Sequence, residues 1–169
     1  MPWLVPSVIA TMTGTVILTF CYFYLYTNDK QKYLKIWTVS WGIYFTRYVF
    51  LLAMLLWQKN SWLLIGNQLS TLVSGGLLLY GSYRFINKKF PKILVLFFLL
   101  GVLWIFYSIL NRLPFLLMTL PTFTFLAGIY IWTGILYWKY SKSGEKEASV
   151  VGVAFILWGL HKGNYPFLR

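Results

Sequence analysis

Arg47 stands near the middle of LKIWTVSWGIYFTRYVFLLAMLLW, residues 34–57, a run long and apolar enough to cross a bilayer. None of the three acidic residues, Asp29, Glu145 and Glu147, falls inside a hydrophobic segment. The sequence therefore offers this guanidinium no acidic side chain at membrane depth. A central Arg costs ~2.5–3.5 kcal/mol on insertion scales, against a gain of ~0.3–0.6 from each Leu, Ile, Phe or Val, so the segment inserts in spite of it. Charged groups at that depth face the bundle or a wet cavity. Trp37, Ser40, Tyr44 and Arg47 follow at three- and four-residue spacing and share one helical face. An inward polar and aromatic stripe is expected. Its chemistry is reception of an anionic or strongly hydrogen-bonding ligand. Snorkelling, bonds to backbone carbonyls and a lipid headgroup contact are the competing uses of the same charge.

Three other stretches supply candidate partners. Asn67, Ser70, Thr71 and Ser74 line one side of the following segment, with Gln68 beside them. At 1.5 Å per residue Asn67 lies ~8 Å and Arg47 ~15 Å from the outer ends of their helices, so the two meet if Arg47 extends outward. Amides in such places also serve as plain interhelical glue, worth ~0.6 kcal/mol on average. Thr119, Thr122 and Thr124 surround Pro121, whose ring frees the carbonyl of Leu117 and bends the helix. Near the end of the chain Trp158, His161 and Tyr165 share a face, and Pro166 should stop the helix near Asn164. His161 is the single histidine, suited to an interfacial hydrogen bond, a ligand contact or proton sensing. Haem or metal ligation finds no second ligand type beside it.

The elements that must position these residues are read from six apolar blocks, about 3–26, 34–57, 62–85, 93–110, 115–138 and 148–164. The chain is 59% hydrophobic and 11% charged, against roughly 25% charged in soluble domains. The fold class expected is all-α: one polytopic membrane domain over 1–169, six transmembrane helices in a compact bundle. A β-barrel would alternate in short segments, and these runs are continuous. Connections are short, so sequential helices should be antiparallel neighbours.

Charge sets the expected sidedness. Ten of the fifteen basic residues fall in alternate connections: Lys30, Lys32, Lys35; Arg84, Lys88, Lys89, Lys92; Lys139, Lys142, Lys146. The positive-inside rule assigns these to the cytoplasm and the N-terminus to the outside, in a multi-pass protein of the inner (plasma) membrane. The net charge of +12 thus reads as topology, and no nucleic-acid partner is expected. One cysteine, Cys21, excludes an internal disulfide. The first segment lacks a basic start and a small-residue cleavage site, so a removed signal peptide is not expected. No carboxylate pair, metal-ligand spacing, phosphate loop or Ser/His/Asp set is present, so neither an enzyme nor a cofactor is expected.

The stretch WGLHKGNYPFLR, residues 158–169, resembles a junction in the N-terminal multi-helix membrane sensory regions of bacterial histidine kinases and diguanylate cyclases. SWGIYFTRY, residues 40–48, is similar in a looser way. The resemblance covers the six-segment layout and implies a sensor whose signal passes through a further helix to a cytoplasmic effector. It implies that His161, Lys162, Tyr165, Pro166 and Arg169 matter. This chain has six segments, and by charge the sixth ends outside, so a seventh would be needed to reach an effector. The function expected is a receptor module with an outward-facing pocket for a small apolar or anionic ligand. Arg47 and Tyr44 would anchor it, Asn67, Gln68 and Thr122 orient it, and Trp158, His161 and Tyr165 close the mouth. Expected partners are the lipid bilayer, that ligand, the effector, and a second copy in a homodimer. A small six-helix substrate-capturing transporter subunit is the alternative, weakened by the lack of an internal repeat. A haem-bound redox protein using His161 is a third.

Overall fold

A computed structural model describes residues 3–57, 60–141 and 146–164. Six helices follow one another: α1 (Leu4–Asp29), α2 (Lys32–Leu56), α3 (Ser61–Phe85), α4 (Lys92–Leu110), α5 (Phe115–Ser141) and α6 (Lys146–Asn164). Among the described residues there is no strand. The helix ends are chemical. Lys30, Asn87 and Arg112 take left-handed backbone angles and terminate α1, α3 and α4 without a glycine. Asn60 caps α3 by accepting from the Trp62 N–H at 2.9 Å.

Each helix packs on its successor, and α3 also reaches α5. The α2–α3 pair is pinned in antiparallel register by polar contacts, three of them from side chain to carbonyl. Asn67 Nδ2 donates to the Arg47 carbonyl at 3.0 Å, Ser40 Oγ to the Ser74 carbonyl at 2.7 Å, and Trp37 Nε1 to the Leu78 carbonyl at 3.3 Å. Close approach needs Gly81, where an added Cβ would lie 2.6 Å from the Trp37 ring. On α5 and α6 the backbones nearly touch at Gly134 and Gly152, where a Cβ on Gly134 would meet the Gly152 carbonyl at 2.5 Å.

Helices α1 to α5 are long and apolar enough to cross a membrane. Among the described residues the sixth helix offers a shorter apolar stretch. Its apolar part, Ser149–Gly163, extends roughly 22 Å, short of the ~30 Å hydrocarbon core. The glycine register also sets its depth. Gly134 faces Gly152 and Ala127 lies against Gly159 and Gly163. Continued to Asn164, that register places this residue beside the Thr122–Thr124 turn of α5.

The Pro121 site follows from its chemistry. The carbonyl of Leu117, released by the proline ring, accepts from Trp104 Nε1 of α4 at 3.0 Å.

Candidate functional site

The stripe on α2 is buried along its length: Trp37, Ser40, Tyr44 and Arg47 all face inward. Arg47 is 6% exposed and Tyr44 3%. Arg47 Nη1 donates to the Tyr44 hydroxyl at 2.9 Å, and the Tyr48 hydroxyl lies 3.5 Å from the same oxygen. Lys162, in the last turn of α6, lies near enough to Tyr44 to act electrostatically on its hydroxyl. Two cations from different helices therefore converge on one phenol.

Aromatic faces complete the enclosure. The Arg47 guanidinium carbon lies 5.3, 5.4 and 5.9 Å from the ring centroids of Tyr44, Tyr48 and Phe123. Desolvated cation–π contacts are worth about 2 kcal/mol each at best. Two of them match the ~2.5–3.5 kcal/mol insertion cost of the charge. These contacts offset part of the cost of keeping a guanidinium on a long apolar helix. Trp41 meets Tyr44 edge-on at 5.8 Å and Trp158 of α6 at 6.0 Å, and Trp158 stacks on Tyr130 of α5 at 5.5 Å. These rings fill the space between α2 and α6, whose backbones do not approach each other among the described residues.

A cavity of about 10 Å³ remains, bounded by Ser40, Trp41, Tyr44, Ser74, Leu78 and Tyr130. Hydroxyl-bearing side chains of Ser40, Tyr44, Ser74 and Tyr130 are among its walls, and it is about the size of one water. Trp41 Nε1 is buried with no hydrogen-bond acceptor among the described residues. The rings of Trp41 and Tyr130 border this cavity, and Trp158 packs on both of them.

The expected site residues separate into two groups. Tyr44, Arg47 and Trp158 are brought together. Asn67, Gln68 and Thr122 are buried around the same level. Asn67, however, bonds the Arg47 main chain and not its guanidinium. His161 is exposed on the outer side of α6. Tyr165, Pro166 and Arg169 lie outside the described residues. Lys162 takes the inward place that Trp158, His161 and Tyr165 were expected to share. Residues 158 and 162 are one helical turn apart, so the same roll that buries Trp158 turns Lys162 inward. The sequence reading counted Lys162 as a loop cation and passed over Trp41, Tyr48, Phe123 and Tyr130. The i, i+4 pairs Tyr44–Tyr48 and Trp158–Lys162 were the available signal.

Among the described residues no group of three His, Cys, Asp or Glu side chains is placed to hold a metal. The donors here are cations, phenols and indoles, a set suited to a negative group with an apolar body. No family model, curated protein or solved structure matches the chain.

Proposed function

We propose that this chain is a sensory input module of the plasma membrane that receives an amphipathic monoanion at Arg47, Tyr44 and Lys162. The observation that carries this reading is the convergence of two cations on the Tyr44 hydroxyl inside an aromatic cage. Like charges brought together in a low-dielectric interior repel, and an anion between them relieves that repulsion. The rings of Trp41, Trp158 and Tyr130 would contact the apolar body. Receptor function follows from how α6 is held. It lies backbone to backbone on α5 but, among the described residues, meets α2 through side chains. A ligand entering between α2 and α6 must displace those rings. It biases the position of α6 only by preferring one arrangement over the other. The resemblance of residues 158–169 to bacterial sensory junctions points to the same use of this helix.

The test compares decanoate with decanol, equal in chain length and different in charge, on purified protein in phosphatidylcholine nanodiscs. At a hundred times its dissociation constant, decanoate should stabilise the fold by about 2.7 kcal/mol, read as a rise in melting temperature. Decanol should give a much smaller rise, and Arg47→Leu should insert yet lose the decanoate increment. Equal rises from the two probes, or an unaltered decanoate response in Arg47→Leu, would refute the reading.

A further inference from the structure

A second feature lies on the opposite flank, away from Arg47. Val73, Gly76, Leu77 and Tyr80 of α3, Leu94, Val95 and Phe98 of α4, and Phe125 and Ile129 of α5 border a groove of about 360 Å³. That is in the size range of small-molecule sites. Its walls are almost wholly apolar, and it lies along the lengths of three helices apolar enough to span. From Val73 to Tyr80 it runs roughly 10 Å along α3. Gly76 contributes depth, since a Cβ there would already touch Phe98 at 3.4 Å.

One end of the groove carries charge. Tyr80 and Tyr83 each hold Phe90 edge-on, at 5.5 and 5.4 Å, and these rings form the floor of that end. Arg84 stands at the lip. Its Nε and Nη2 donate to the Tyr80 hydroxyl at 3.0 and 2.9 Å, and its guanidinium lies over the Tyr80 ring. Two of five N–H donors are thereby used, so the group is oriented with three left to present. The connection that follows adds Lys88, Lys89 and Lys92, all exposed, and holds no acidic residue. Asn87 in a left-handed conformation and the Lys88 N–H bond to the Tyr83 carbonyl at 2.9 Å fix the start of this connection against α3.

An apolar slot at acyl depth that ends at an oriented guanidinium and three lysines matches one molecule in both chemistry and layout. We infer that the α3–α4–α5 groove binds an anionic phospholipid, with an acyl chain along Leu77, Leu94 and Phe98 and the phosphate on Arg84. The leaflet is the one that the basic connections face, where anionic headgroups attract Lys and Arg. The site is independent of the Arg47 cluster, and either can fail without the other.

The test is native mass spectrometry of the full chain released from nanodiscs containing equal mole fractions of dioleoylphosphatidylglycerol and dioleoylphosphatidylcholine. The wild-type protein should retain the anionic lipid preferentially. Arg84→Gln should lower that preference about five-fold, as expected for one cation at the headgroup. Val95→Trp fills the groove from a position already 47% exposed, so it leaves the core intact, and it should remove retained lipid of both kinds. Melting of each variant in lipid-free detergent, unchanged from wild type, shows that the fold survives. Equal retention of the two lipids by the wild type would overturn the inference, as would undiminished retention in Val95→Trp.

Discussion

Arg47 shows how a helix long and apolar enough to span a membrane accommodates a full charge. Its neighbours include a phenol oxygen at 2.9 Å and three ring faces within 6 Å, which together offset the insertion penalty. The α2 stripe was legible in the sequence because helical period alone groups Trp37, Ser40, Tyr44 and Arg47. What met the stripe was not legible. Period says nothing about the roll of a second helix, so the sequence pointed to His161 and the placement of α6 turned Lys162 inward instead. Tyr44 is the junction of the cluster, and Tyr44→Phe removes only its oxygen. We expect this variant to lose about 1–3 kcal/mol of stability, since a charged donor forfeits a buried acceptor. Unfolding in mixed micelles reads that loss directly, and an unchanged transition would show that the phenol oxygen is dispensable.

At the scale of the helices, lengths and order followed from long apolar blocks separated by short polar turns. The register of α6 on α5 is set by Gly134, Gly152, Ala127 and Gly159, a contact between two faces that no single-helix pattern encodes. The α4–α5 pair makes a sharper claim. Pro121 frees the Leu117 carbonyl and Trp104 satisfies it. Trp104→Phe should therefore cost about 1 kcal/mol in the native background and close to nothing once Pro121→Ala lets the helix reclaim that carbonyl. A double-mutant cycle measures the coupling. Additive effects would separate the two residues.

For the whole molecule, charge is the strongest signal. Ten of fifteen basic residues gather in the connections α1–α2, α3–α4 and α5–α6, at one end of the bundle. That distribution predicts which end faces the cytoplasm. Cys21 is the only cysteine, so a Cys21→Ser background accepts single reporters. On intact cells a membrane-impermeant maleimide should label Ser61→Cys, while Lys88→Cys should react only after lysis. The reverse pattern would invert the bundle. An orientation can be predicted from the sequence because it depends on where charges sit along the chain. The packing around the Arg47 cluster cannot, because it depends on how rings from α2, α5 and α6 meet around a space the size of one water.

The account turns on Lys162 joining Arg47 at the Tyr44 hydroxyl while His161 points away. Decanoate affinity of Lys162→Gln and His161→Gln, titrated by tryptophan fluorescence in phosphatidylcholine nanodiscs, tests this most directly. Loss of one charge-assisted hydrogen bond should weaken binding about ten-fold in Lys162→Gln, and His161→Gln should bind as wild type does. Weakening by His161→Gln with Lys162→Gln unaffected would contradict it.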